Sequence, residues 1–287
     1  MGSKTIFRVA KNEYLKWITN PKMMILAVMF IFTYDFVIRE LVVAADKMGE
    51  RLQVFEGFIG ISNSQLLLMI LPVVFIGLMG DFPRVDGNAM FYIHRVGRVN
   101  WLLGQMLFAA MASGTYLLAL LGFSIVTLFG KSFFHNVWSE ITTKYYLFAP
   151  NEYAGTVANL TTGRLYNNLL PINAAVHIIL LMFLFFMVIA MLLLVGFAGG
   201  AQLAGIVVAS GILCIGNVLA YMENRLRWIF PTAHAVLELH FDPIYNTPVF
   251  DVWLSYVYYV GLLLVLFVVA FLCIDRLDFT KIKELER

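Results

Sequence analysis

Charge is scarce in this chain. Asp, Glu, Lys and Arg make up 13% of its 287 residues, about half the share found in soluble domains. So few charges cannot keep the surface of a chain this long in water, so most of it must face lipid. Cysteine is scarcer still: Cys214 and Cys273 both fall in apolar runs, which excludes a disulfide framework or a cysteine zinc site. No G-x-x-x-x-G-K-[ST] loop occurs, so the chain does not itself cradle ATP in that way. The first 20 residues hold lysines but no apolar core followed by a small-residue cleavage site, which argues against a removable signal peptide. The net charge of +2 is uninformative, and no nucleic acid is expected as a partner.

What the chain has is apolar length: 61% of its residues are hydrophobic and 15% aromatic. Crossing roughly 30 Å of hydrocarbon takes about 20 mostly apolar residues. Six segments qualify: Met23–Val43, Ser64–Gly80, Trp101–Gly130, Ile172–Val195, Gln202–Tyr221 and Val252–Ile274. With both termini inside, the short cytoplasmic pieces carry Lys4, Arg8, Lys11, Lys16, Lys22, Arg84, Arg95, Arg98 and the cations of the C-terminal tail. The longer outer loops hold fewer, the pattern of a multi-pass protein with cytoplasmic termini. The expected fold is therefore all-α and polytopic, with six transmembrane helices in one domain over 22–287.

Residues 1–21 form a separate amphipathic element. Phe7, Ala10, Tyr14 and Trp17 recur at helical spacing, while Lys4, Arg8 and Lys11 lie on another face. Such a helix lies in the headgroup layer or packs on another subunit. The outer loop 131–171, about 40 residues, is too long for a simple connection and predicts a small folded lid. Between the second and third crossings lies a charged insert, DFPRVDGNAMFYIHRVGR over Asp81–Arg98. It is either a plain cytoplasmic loop (81–100) or a contact surface. Met90, Phe91 and Tyr92, rimmed by Asp86, Gly87, Arg95 and Arg98, favour contact, because exposed apolar residues among charges mark interfaces.

Three more places carry polar or small-residue signals. Asp35 and Arg39 stand four apart on one helix face, about 20 Å into the first crossing at 1.5 Å per residue. They are either an anchoring pair at the outer end or a polar patch on a transport path. Ala201, Gly205 and Ala209 form a small-residue stripe, which serves close packing within the subunit or a dimer seam. The segment Pro231–Pro243 carries His234, Glu238 and His240 amid apolar residues. It lacks the H-E-x-x-H spacing of a zinc site and is expected to be re-entrant helical structure at the outer face, marked by Pro231, His234 and Glu238. His177, early in the fourth crossing, is expected to be a satisfied interfacial histidine, and Asn159-Leu160-Thr161 matches the glycosylation acceptor pattern.

Taken together, the reclining N-terminal helix, the six crossings and the run Asp86, Gly87, Arg98, Gly104, Gln105 resemble the type-2 ATP-binding-cassette (ABC) exporter permeases. Asn88 and Gln105 stand where that family usually has threonine and lysine. The resemblance implies a non-enzymatic membrane subunit with no cofactor of its own. ATP and Mg would bind two copies of a partner ATPase, and a second permease copy or paralogue would complete the assembly. It also implies a bacterial cytoplasmic membrane, ATPase coupling through the insert, an outer gate at Pro231, His234 and Glu238, and export of a lipid, peptide or drug. The rival reading is a non-catalytic sensor or immunity subunit that takes a ligand in its outer loop. An intramembrane enzyme would need a catalytic pair, and no motif surrounds Asp35, His177, Ser124 or Ser210.

Overall fold

The computed structural model describes residues 2–84, 95–153, 160–245 and 247–274. The described chain is mostly helical. Helix α1 (Gly2–Ile18) precedes a 3-10 turn, Pro21–Met24, started by Pro21 and by the Asn20 side chain, which accepts from the Lys22 N–H at 3.0 Å. The chain then runs through α2 (Ile25–Thr33), a π-helical turn (Tyr34–Ile38) and α3 (Arg39–Met48). After strand β1 (Leu52–Gln53) come α4 (Glu56–Asn63), α5 (Gln65–Leu78) and α6 (Arg98–Thr127). Strand β2 (Ser132–Phe133) and α7 (Glu140–Phe148) lead through shorter turns to α8 (Pro171–Ala198) and α9 (Gln202–Tyr221). A short α10 (Pro231–Ala235) and the long α11 (Val252–Ile274) complete the described chain.

Among the described residues, α6, α8, α9 and α11 are long and apolar enough to cross a membrane, and a fifth span results if α4 and α5 count as one. Those two are bent by 84° at Ser64, which takes an extended backbone. The first expected crossing differs most from its sequence reading. Asp35, Arg39 and Glu40 interrupt its apolar run, and a π turn divides it. The all-α expectation also needs amending. Lys131 Nζ reaches Asp46 at 2.7 Å and draws two loops together, so that β1 and β2 pair in parallel, with Leu52 N–H donating to Lys131 O at 3.0 Å.

Helix α8 is the central post. Its Leu181, Phe186, Val188 and Leu194 are fully buried. Phe186 meets Phe75 of α5 at 4.9 Å and Tyr116 of α6 at 5.0 Å between ring centroids. The Tyr116 hydroxyl donates to Leu71 O at 2.9 Å, bracing α5 beside its internal Pro72. By contrast, α9 and α11 expose apolar side chains such as Leu203, Val207, Leu264 and Leu272. A helix that is apolar on its outside as well as its inside has lipid or a partner as its solvent.

Helix α1 keeps its expected polarity but finds its apolar partner within the chain. A Cβ on Gly104 of α6 would lie 2.5 Å from the Val9 Cβ, so this glycine lets the two helices touch. Tyr14 OH and Thr115 Oγ1 are 2.9 Å apart, and Trp17 Nε1 donates to Leu78 O at 3.1 Å. Lys4, Arg8 and Lys11 remain exposed.

Polar contacts gather at two opposite ends. One end holds Lys22–Asp81, the Gln202 amide on Gly80 O at 3.1 Å, and Arg98 Nη1 on Ile274 O at 3.3 Å. The other holds Lys131–Asp46, Arg164–Glu223 at 2.7 Å, and Glu56 with Ser139.

Candidate functional site

The Arg164–Glu223 pair of the second end lines a cavity of about 850 Å³, within the range of about 300–1,000 Å³ usual for ligand sites. Four pieces of chain wall it. The π turn and the start of α3 supply Asp35, Phe36, Arg39 and Glu40, and the bent α4–α5 junction supplies Asn63 and Gln65. The end of α9 supplies Asn217 and Tyr221, and the outer segments supply Thr162, Arg164 and Glu238. Local structure explains the opening. Arg39 N–H bonds back to Tyr34 O in the wider π pattern, and such turns recur at functional sites. Val37 and Ile38 of that turn are buried against α4, where only glycine fits: a Cβ on Gly57 would come within 2.8 Å of Ile38 Cδ1, and one on Gly60 within 3.0 Å of Val37 Cγ1. Asp35 and Arg39 are thereby left facing the cavity, paired at 2.9 Å.

Sequence reading placed Asp35–Arg39 and Glu238 in separate roles, and the structure brings them to one cavity. Thr162 Oγ1 donates to the Glu238 carboxylate at 2.5 Å. Burial raises the Glu238 pKa, opposed by that hydrogen bond and by Arg164. Glu40, Asn63, Asn217, Arg164 and Glu223 escaped sequence reading, because only the fold brings loops so far apart into one wall.

The other gate positions do something different. Residues 231–243 form short helical turns rather than one helix, so His234 and Glu238 do not share a face. Pro231 opens α10, and its carbonyl accepts from the Tyr259 hydroxyl at 2.7 Å. His234 turns inward, where His234 Nδ1 lies 2.8 Å and His240 Nε2 2.7 Å from the same Ser255 Oγ. The opposite ring nitrogens face the carbonyls of Trp228, at 2.8 Å, and Val236, at 3.0 Å. A nitrogen facing a carbonyl must carry the proton, so both histidines present an acceptor to a hydroxyl with one proton to give. Burial lowers both histidine pKa values to about 4. Ser255, invisible to motif reading, is thus the joint between α11 and the segment 231–243. The trio has the reach of a nucleophile and base but is closed off: all three residues are buried, with Tyr258 stacked on His234 and Trp228 set at an angle against both histidine rings. Among the described residues no three His, Cys, Asp or Glu side chains converge as metal ligands.

Ser255→Ala is expected to remove the one hydroxyl proton that the two buried ring nitrogens share, at about 1–3 kcal/mol. A clear fall in the thermal midpoint of the purified protein is the expected result. An unchanged midpoint would show that the joint contributes nothing.

The small-residue stripe is occupied inside the chain. Gly205 packs on Gly196 of α8, with 3.0 Å between a Cβ built on Gly205 and the Gly196 Cα, and Ala209 is fully buried. These two positions therefore serve intrachain packing, which leaves the exposed face of α9 for any seam. His177 Nδ1 lies 2.8 Å from the Tyr256 hydroxyl.

At the opposite end, Asp86, Gly87, Met90, Phe91 and Tyr92 lie outside the described residues, as does Asn159. Arg95 is exposed, and Arg98 opens α6 and caps the carboxyl end of α11. Gln105, one turn beyond Trp101, is fully buried, and its amide has no hydrogen-bond partner among the described residues. No family model, curated protein or solved structure matches this chain.

Proposed function

We propose that this chain is the membrane-spanning permease subunit of an ATP-driven exporter in a bacterial cytoplasmic membrane. The observation that carries this reading is a two-ended design. A mixed polar and apolar cavity opens among the outer ends of the helices, while the insert 81–100 joins the inner ends of α5 and α6. In this reading 25–48, α5, α6, α8, α9 and α11 make six crossings, with both termini in the cytoplasm. Two ATPase copies and a second permease, identical or paralogous, complete the assembly. Closure of the ATPase pair would push on the insert, and rigid helices would carry the displacement to the cavity about 30 Å away. Helix α1, clamped to α6 at Gly104, would move with it. The cargo is amphipathic or hydrophobic, admitted past an apolar rim of Phe36, Leu66 and Tyr221.

The decisive test is mild-detergent purification from the native host, with co-eluting proteins identified by mass. The expected result is a near 1:1 soluble ATPase carrying a phosphate-binding loop. If the chain elutes alone and shows no ATP-stimulated activity, the reading is wrong, and the sensor reading, which needs only the folded outer region and the cavity, takes its place. Given such a partner, Arg98→Glu combined with Gly87→Trp is expected to abolish stimulated ATP hydrolysis while the permease stays folded. Full coupling in a folded double variant would remove the insert from the mechanism.

A further inference from the structure

The cavity's charges do not balance. Asp35 pairs with Arg39 at 2.9 Å and Glu223 with Arg164 at 2.7 Å, which consumes both arginines of the lining. Two carboxylates remain. Glu40 has no ion pair among the described residues, and Glu238 has only the Thr162 hydroxyl. A second, independent feature lies beside them. Both amide atoms of Asn63 and the Oδ1 of Asn217 are buried in the lining with no hydrogen-bond partner among the described residues. Buried polar groups are nearly always paired, and an unpaired carboxylate at low dielectric is costly until a cation joins it. Asn63 Oδ1, Asn217 Oδ1, Glu40 and Glu238 are acceptors, against Asn63 Nδ2 as the single buried donor left unpaired among the described residues of the lining, so the lining best fits a group that brings donors and positive charge. The rim, in contrast, is apolar: Phe36, Leu66 and Tyr221 are all exposed at the cavity edge.

We infer that the cavity binds a cationic amphiphile, its ammonium or guanidinium head held by Glu40 and Glu238 and its apolar body lying against Phe36, Leu66 and Tyr221. This rests on the cavity being the cargo site and names the chemical class of that cargo. The two arginines do not repel the head, because each is already neutralised by its own carboxylate. An anionic amphiphile would meet two unpaired like charges and find no free cation.

A pH dependence follows. Asp35, Arg39, Glu40, Arg164 and Glu223 are the other charged groups of the lining. Burial favours the protonated Glu238 carboxyl, Arg164 opposes this and Glu223 adds to it. An arriving cation favours ionisation and so expels that proton, and raising the pH therefore tightens cation binding.

The test uses the full chain in nanodiscs of neutral phosphatidylcholine. Dansylcadaverine, a fluorescent primary amine, is titrated against its uncharged N-acetyl derivative. Saturable binding of the amine, at least ten-fold tighter than the acetylated compound and tightening with pH, is expected. Glu40→Gln with Glu238→Gln should bring the amine down to the level of the acetylated probe without moving the thermal midpoint greatly. Equal binding of the two probes to the wild-type chain, which needs no variant, would overturn the inference, as would undiminished amine binding by the folded double variant. ATPase co-purification reads the transport function separately. A chain that prefers the amine but brings down no ATPase keeps this site and loses the exporter reading. A chain that brings down the ATPase but shows no preference loses only the cationic cargo.

Discussion

Gly196→Ala, the addition of one methyl group, is expected to be among the most destabilising small changes in this chain. A Cβ on Gly196 would lie 2.4 Å from the Gly205 Cα and 2.7 Å from the Gly205 N. The obstacle is backbone, which cannot rotate away as a side chain does, so α8 and α9 must separate along their shared face. Overpacking of a core costs about 1–3 kcal/mol, and more where nothing can yield. Because α8 is the central post, that separation also loosens its contacts with α6 and α11. Gly211→Ala is the matched control. It lies on the same α9, with open space where its Cβ would go, and gains up to about 1 kcal/mol of helix propensity. Thermal unfolding in detergent should show Gly196→Ala far below wild type and Gly211→Ala level with it or above. Equal midpoints for the two variants would mean that α8 and α9 do not touch there.

Acidification from pH 7.5 to 5 is expected to draw a stabilising contribution from Glu56, against the opposite contribution of His234 and His240, which burial holds neutral. The Glu56 carboxylate is fully buried in the outer region, where α4 turns 84° away from α5. It accepts from Ser139 N–H at 2.7 Å, Ser139 Oγ at 2.7 Å and Gln53 N–H at 3.2 Å. Burial outweighs those three bonds and raises its pKa from 4.5 to about 7. A carboxyl raised in the folded state is protonated there when the unfolded chain has already released its proton. Its contribution is complete below pH 4.5 and is lost as the pH rises through about 7. The span corresponds to about 3 kcal/mol. Glu56→Gln should make the protein lose more stability than wild type on acidification over this interval, since the contribution that opposes the histidines is gone. An equally steep profile in Glu56→Gln would assign the effect elsewhere. Because Glu56 joins the loop before α4 to the N-cap of α7, the same titration would loosen the outer region as pH rises.

The legibility of the chain was uneven, and the reason is physical. The spans Gln202–Tyr221 and Val252–Ile274 were read from the sequence with the bounds the structure has. Each is an uninterrupted apolar run with a turn before it: Gly200 adopts φ +76° just ahead of one, and Asp251 precedes the other. The first expected crossing was read as one unbroken run, and the Asp35 and Arg39 within it do not announce the π turn that divides it. The Gly205 stripe was legible as a close contact but not as to its partner, since small residues record that something approaches and not what. Glu56 and Ser255 carry no local pattern at all. Each is a lone polar residue in apolar surroundings, and its meaning comes from partners 83 residues away in one case and 15 and 21 in the other.

The sequence by itself determined that this is a membrane-compatible helical chain, where its longest helices run, and that α1 is two-faced. Composition and periodicity are local quantities, and transfer from water to lipid acts on them residue by residue. Only the tertiary structure decided that Asp35, Arg39 and Glu238 share one cavity, that two of its carboxylates have no ion pair among the described residues, and that His234 and His240 meet on Ser255. Those facts are relations between distant segments, set by how the 84° bend, the π turn and the glycine contacts let the helices close on one another.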